Sequence, residues 1–446
     1  IVAPGSTCPT ITYNITGGMK EIRLVLLGFG SANRTLARML LDKSEKDDSC
    51  RHCLRVVASG GSSTSELVPW KVVCIITRRH GSVCVPYSST SEINVEDALE
   101  RIGADGILDA TLVRNTNEAT TSTAHTTATT DDTIKLLNEL GKTQAANIVV
   151  EAIPSNPKSD GEPAISFIRT ALQAGMHVAS ANKCPLTHTR NDKETYFELQ
   201  GIAKRNGKIY LHESAVMDGV PIFSLWSNLP GVTCTKIRGL LNSTSTMILS
   251  RIEGNIDKVV ESDGQVEHVG ETFEEALEAA KKVGIVEEDE SLDIDGWDAA
   301  MKLRALCVFL SSCVNLSSAE DHDVIVPPLE AIPRDTISQI NPELICTEFR
   351  TSRKKVRSVA SAELVDLPSD PAIGRHHPIK TWKMRVQNEF LSQSDPLYNL
   401  NGSSASVQFW SDVMGPISVV SQDPTLMDTA YGLFADVVRI ASQSLS

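Results

Sequence analysis

Over the first half of the chain, short apolar runs alternate with amphipathic stretches. Residues 22–30, IRLVLLGFG, read as a buried parallel strand closing on a glycine turn. The following SANRTLARMLLDK places Leu36, Met39 and Leu40 on one helical face. Residues 44–66 are polar and rich in Ser and Gly, and are expected to form a surface excursion. WKVVCIITRR (70–79) is the next buried strand, and residues 94–102 form a short amphipathic helix. From 111 to 133 Thr, Asn and Asp dominate, which predicts a mobile loop. NIVVEAIP (147–154) is a strand stopped by Pro154, and residues 162–175 are a helix capped by Gly175. MHVASANK (176–183) is a strand leading into a loop, and KIYLHESAV (208–216) continues the alternation.

Strands and helices alternating at this spacing imply βαβ units and a parallel sheet. Beyond residue 216 the pattern changes. Helical periodicity covers 243–253, 272–283 and 297–313, short alternating strands follow near 381–390, 404–411 and 416–421, and a last helix begins near Asp428. No internal repeat is present. The expected layout is a tail over residues 1–18, an α/β domain of Rossmann type over 19–210, an α+β domain over 211–425, and a helix over 426–446 returning to the first domain. The α+β domain is the expected place of substrate binding and dimerisation.

Composition removes some function classes. A formal charge of -14 and a pI near 5.3 argue against a nucleic-acid partner. No apolar run approaches the length of a membrane span, and no secretory leader is visible. The protein is therefore expected to be cytoplasmic. Its 10 cysteines fit reduced, partly buried thiols better than a disulfide framework. Cys50 and Cys53 form a lone CxxC with no second pair to complete a zinc site, so free loop thiols are expected.

Two segments point to a dinucleotide. Gly28-Phe29-Gly30-Ser31-Ala32-Asn33 lies between the first strand and the first helix. Glycines at 28 and 30 permit a tight turn and close approach of main-chain N–H groups to a pyrophosphate. Asn33 stands where the fingerprint has its third glycine. At the end of the second strand an acid would bind the ribose hydroxyls of NAD. Here the chain reads Thr77-Arg78-Arg79-His80, and guanidinium groups suit the 2′-phosphate of NADP. NADP is the expected cofactor, with NAD as the alternative.

Further on, EEDESLDIDGWDAAMK (287–302) places carboxylates just ahead of a helix. Asp298 and Lys302 then fall four residues apart on one helical face. An acid and an amine presented together can hold an amino acid and move a proton; the same spacing also describes an ordinary exposed ion pair. His212 beside Glu213 reads as a core histidine rather than an acid–base group.

Three segments together resemble the homoserine dehydrogenase family. They are residues 149–186 (VVEAIPSNPKSDGEPAISFIRTALQAGMHVASANKCPL), the pair LHESAVMDGVPIF (211–223) and GLLNSTSTMILSRIEG (239–254), and residues 272–306 (TFEEALEAAKKVGIVEEDESLDIDGWDAAMKLRAL). The resemblance covers residues 20 to 315 well, and the last 100 only through DPLYNLNG and DTAYGLFADVVRIA. It implies interconversion of L-homoserine and L-aspartate 4-semialdehyde with NAD(P), by a homodimer. It also implies residue roles. Lys183 matches the family's lysine near the nicotinamide. Glu287, Asp298 and Lys302 match substrate-contacting residues, and Asn242, Ser243 and Thr244 match the turn that cradles substrate. Glu213, Val216, Asp218 and Val220 fall where the family binds a monovalent cation, mainly through carbonyls.

The departures are Asn33, the insertions at 44–66 and 111–133, and SQDPTLMDTAYG in place of a GAGAG-type stretch before the last helix. No ACT-like or aspartokinase segment is visible. In chemical terms, Lys183 and Lys302 are the candidates to stabilise and protonate the carbonyl oxygen. Glu287 and Asp298 suit the substrate ammonium. The rival readings are a same-fold oxidoreductase for another small aldehyde or amino alcohol, and an inactive NADP-sensing protein.

Overall fold

Ile22–Leu27 forms β1, almost wholly buried because it is paired on both sides. The computed structural model describes residues 19–47, 51–57, 65–85, 91–104, 106–114, 123–125, 129–190, 193–254, 259–262, 265–268, 270–286, 289–314, 324–367 and 379–445. The described residues divide into two units, one holding 19–224 with 425–445, the other 225–424.

In the first unit the other strands are β2 (His52–Val57), β3 (Ser65–Ile76), β4 (Ser82–Cys84), β5 (Ile148–Glu151), β6 (His177–Ser180) and β7 (Tyr210–Leu211). The order is β7-β6-β5-β1-β3-β2, with Glu45–Lys46 beyond β2. From β7 to β3 every pairing is parallel, while β2 and β4 both pair antiparallel with β3. The helices are α1 (Ser31–Asp42), α2 (Val95–Gly103), α3 (Thr130–Lys142), α4 (Ala164–Gln173), α5 (Cys184–Thr187), α6 (Thr195–Arg205) and, from the chain's end, α12 (Leu426–Ser444). Ser444 O accepts from Met19 N at 2.9 Å, and Ser442 Oγ donates to Val57 O.

Register places the site. Leu27 pairs with Ile76 on one side and Glu151 on the other, and Glu151 pairs with Ser180. Four strands therefore end level, and their following loops leave from one sheet edge. In open parallel sheets that edge is where ligands bind.

Several expectations change here. Within 44–66, residues 52–57 form β2, and β3 begins at Ser65 rather than Trp70. The 111–133 stretch is not all loop: Val113–Arg114 pairs with Glu92–Ile93, and α3 starts at Thr130. Thr129 caps α3 by accepting from Asp132 N, and Asp131 and Asp132 sit at its positive end, so the polar residues that suggested a loop are a helix start. The expected strand 208–216 is only Tyr210–Leu211, followed by a turn of 3-10 helix at Glu213–Ala215. Composition favours reduced thiols over a disulfide framework; Cys74 and Cys84, which the β3–β4 register sets opposite each other, are disulfide-linked. Cys50 lies outside the described residues, as does the 1–18 tail.

The second unit carries the sheet β9-β11-β10-β8-β12-β13. These strands are β8 (Cys234–Leu240), β9 (Val324–Ile325), β10 (Lys355–Leu367), β11 (Ile379–Leu391), β12 (Ala405–Ser411) and β13 (Ile417–Ser421). All pairings are antiparallel except β9–β11. Its helices are α7 (Ser243–Glu253), α8 (Phe273–Val283), α9 (Ser291–Ile294), α10 (Trp297–Val314) and α11 (Pro342–Ser352). Ile248, Leu249 and Ile252 of α7 pack with Ala276 and Ala280 of α8, Ile345 of α11 and Val356 of β10. The architecture is a Rossmann-type α/β unit joined to an α+β unit.

Candidate active site

The first-unit site begins at the turn after β1. Gly28 has φ +77°, and a Cβ there would lie 2.7 Å from Ala152 O, so only glycine fits without strain. Gly30 caps α1 without any side-chain acceptor, and a Cβ on it would meet nothing within 4 Å. The turn is thus open above Gly30, beside the first N–H groups of a helix start. Phe29 is buried beneath it, Ser31 is exposed and Ala32 half-buried. Asn33 is fully buried, and its Nδ2 donates to Leu27 O at 3.1 Å and Gly28 O at 2.6 Å. The missing third glycine is therefore replaced by an internal brace. This turn fits a pyrophosphate.

After β3, Thr77 knits the next turn: its Oγ1 donates to Gly81 O at 2.9 Å and accepts from His80 N at 2.9 Å. Arg78 and Arg79 are left exposed on that turn. Neither makes an ion pair among the described residues.

Lys183 is half-buried and stands between β6 and α5. The residues around it are tightly held. Asn182 Oδ1 accepts from Cys184 N at 3.0 Å and from Ser155 Oγ at 3.1 Å.

The loop after β7 holds the expected cation residues. Glu213 is buried; its Oε1 accepts from Phe223 N at 2.9 Å, and its Oε2 accepts from Ser224 N at 3.1 Å and Arg439 Nη1 at 2.6 Å. Glu213 N donates to Asp436 Oδ2 at 2.8 Å. Burial, then the neighbouring Glu213 charge, pushes the Asp436 carboxyl up to about 8. Met217 and Asp218 are left-handed at φ 56° and 59°, and Asp218 Oδ1 accepts from Thr429 Oγ1 at 2.8 Å. Val216 is fully buried, and Val220 O accepts from Ile222 N at 2.8 Å. Among the described residues no three His, Cys, Asp or Glu side chains gather in a metal-binding group. His212 is a core residue, edge-on to Phe223 at 4.4 Å, and burial lowers its pKa to about 3.

In the second unit the helix starts of α7 and α10 meet. Asn242 caps α7, its Oδ1 accepting from Ser245 N at 2.6 Å. Its Nδ2 donates to Asp293 Oδ1 at 2.6 Å and Asp298 Oδ2 at 3.0 Å. Asp298 Oδ2 also takes Lys302 Nζ at 2.8 Å. Asp298 is 3% exposed, which sets this pair apart from an ordinary surface i,i+4 bridge. Ser243 is half-buried, and Thr244 Oγ1 donates to Ile285 O at 2.9 Å. Sequence reading missed Asp293, which α9 brings in before Gly296 (φ +72°) redirects the chain. Its signal was the DIDGWD acid pattern around that glycine. Glu287 lies outside the described residues.

A family model described as homoserine dehydrogenase matches residues 221–438. The NAD(+)-dependent homoserine dehydrogenase of Pseudomonas canavaninivorans is 26% identical over 425 residues, 95% of this chain and 97% of that one. The family that the chain matches is homoserine dehydrogenase. The homoserine dehydrogenase of Sulfurisphaera tokodaii is 28% identical across 67% of this chain and 78% of its own. The fold matches the homoserine dehydrogenase from Thermoplasma acidophilum with a TM-score of 0.60, at 18% identity, over 94% of this chain and 99% of that one. A hyperthermophilic archaeal homoserine dehydrogenase in complex with NADPH gives 0.59 at 22% identity, covering 94% and 97%.

Proposed function

We propose that this chain interconverts L-aspartate 4-semialdehyde and L-homoserine with NAD(P). The observation that carries the reading is the buried Asn242–Asp293–Asp298–Lys302 constellation. It offers anionic oxygens to an ammonium and an amine to a carboxylate, the two charged ends of an amino-acid substrate. The family resemblance assigns Glu287 to the ammonium as a further acid, and Ser243 and Thr244 to the turn that cradles the substrate.

When bound, the nicotinamide cofactor supplies or accepts the hydride. The 28–33 turn holds the pyrophosphate, and Arg78 and Arg79 favour NADP over NAD through the 2′-phosphate. As the substrate carbonyl is reduced, its oxygen gains negative charge. Lys183 stabilises that charge and donates the proton, while Lys302 holds the substrate carboxylate. In the reverse direction Lys183 takes the proton from the alcohol. A monovalent cation at the 213–220 loop, bound through main-chain carbonyls, would stiffen the chain beyond Lys183. A cytoplasmic homodimer with the α+β unit at the dimer contact completes the reading, supported by the family resemblance.

The test is direct. Purified protein is mixed with NADPH and L-aspartate 4-semialdehyde, and products are separated by chromatography. The expected result is stoichiometric NADPH loss and L-homoserine. NADPH binding without turnover would favour the sensor, and turnover only with other aldehydes would favour the same-fold oxidoreductase.

A further inference from the structure

We propose that Glu151 is a positioning residue that sets Lys183 by gripping both polar residues leading into it. The inference rests on the reading of Lys183 as proton donor. Glu151 ends β5 and is 0% exposed. Its Oε2 accepts from Ser180 Oγ at 2.5 Å, and its Oε1 accepts from Asn182 Nδ2 at 3.4 Å and Ile153 N at 3.0 Å. Its carbonyl oxygen accepts from Ala181 N at 3.0 Å. Ser180 Oγ also accepts from Asn182 N at 3.0 Å, and Asn182 Oδ1 takes Cys184 N at 3.0 Å. The main-chain N–H groups on both sides of Lys183 are thus fixed by a network whose hub is one carboxyl.

A fully buried carboxyl is costly, and burial pushes the Glu151 pKa up against the pull of its three side-chain bonds. Strand pairing in the parallel sheet would be served as well by an apolar residue here. What an apolar residue cannot do is hold Ser180 and Asn182 together. Glutamine can: its amide oxygen accepts from Asn182 and Ile153, and its amide nitrogen donates to Ser180.

The experiment compares Glu151→Ala, Glu151→Gln and the milder Ser180→Ala with wild type. Competitive acetylation of all lysines, read by peptide mass spectrometry, reports the exposure and basicity of Lys183 without requiring turnover. Lys183 labelling relative to other lysines is expected to rise about tenfold in Glu151→Ala, as the loop that holds it loosens. Ser180→Ala is expected to move it in the same direction by a smaller factor, and Glu151→Gln to restore it. In parallel, kcat for the semialdehyde should fall about a hundredfold in Glu151→Ala with NADPH affinity kept, as misplacement of a catalytic group costs. Adding Glu151→Ala to Lys183→Ala should cost nothing more, since the two act as one unit.

Unchanged Lys183 labelling in folded Glu151→Ala or Ser180→Ala protein overturns the proposal. So does an additive double-variant loss, which marks a merely structural role. If the wild type does not reduce the semialdehyde while Lys183 labelling still responds, the functional reading fails and the positioning stands.

Discussion

Replacing Asp298 by asparagine separates catalysis from folding. The substitution keeps the shape and an oxygen for Asn242 Nδ2, now 3.0 Å away, but removes the charge facing Lys302 Nζ at 2.8 Å. In a surface pair that charge would be worth under about 1 kcal/mol. Here the Asp298 side chain is only 4% exposed, so its bond to a cation falls in the range of about 1.5–3 kcal/mol. The Lys302 side chain keeps 18% exposure, and its ammonium can turn partly to water once the partner is lost. The expected stability loss is therefore small, about 1 kcal/mol in urea unfolding. A substrate ammonium has no such escape. Loss of the full interaction in the transition state lowers kcat/KM by about a hundredfold, at about 1.4 kcal/mol per tenfold. Steady-state kinetics with NADPH and semialdehyde, beside urea melts of the same preparations, measure both. A kcat/KM within about threefold of wild type would reduce Asp298–Lys302 to an ordinary ion pair and refute the argument.

Gly28→Ala forces a side chain into the left-handed region at about 1–2 kcal/mol and against Ala152 O, so NADPH affinity by fluorescence titration should drop at least about tenfold. Arg78→Ala with Arg79→Ala should weaken NADPH by about tenfold while leaving NADH nearly unchanged, checked by the ratio of the two dissociation constants. Burial, with a lesser push from Lys208, lowers the His177 pKa to about 3, and Ile209 N donates to its neutral Nδ1 at 3.2 Å. The folded state therefore refuses a proton that the unfolded chain takes near pH 6.5. Stability from this residue is full above that pH and falls as the solution is acidified toward 3, by about 2 kcal/mol at pH 5. Urea unfolding at the two pH values should show that loss, and it should shrink in His177→Gln.

What could be read from the sequence was local. The strand and glycine turn of 22–30 and the helix at 243–253 come directly from periodicity and turn chemistry; the strand is Ile22–Leu27 with the turn behind it, and α7 spans Ser243–Glu253. What escaped depended on distant partners. β10 carries Arg357, fully buried, which breaks the apolar alternation of a strand; it is tolerated because Glu253, Leu400 O and Asn401 take its guanidinium. No local window contains those partners. Asn33 likewise departs from a motif, and its compensation becomes visible only when its amide is seen bonded to Leu27 O and Gly28 O. The Asp298–Lys302 spacing was legible, but the burial of Asp298, which sets the pair apart from a surface bridge, was not.

The most direct measurement is a single-turnover reaction of enzyme–NADPH complex with L-aspartate 4-semialdehyde, comparing wild type with Lys183→Ala. Rapid NADPH oxidation by the wild type, slowed at least about a thousandfold in a folded, NADPH-binding Lys183→Ala protein, is the predicted result. Equal rates for the two proteins would contradict the assignment of Lys183 as the group that protonates the substrate oxygen.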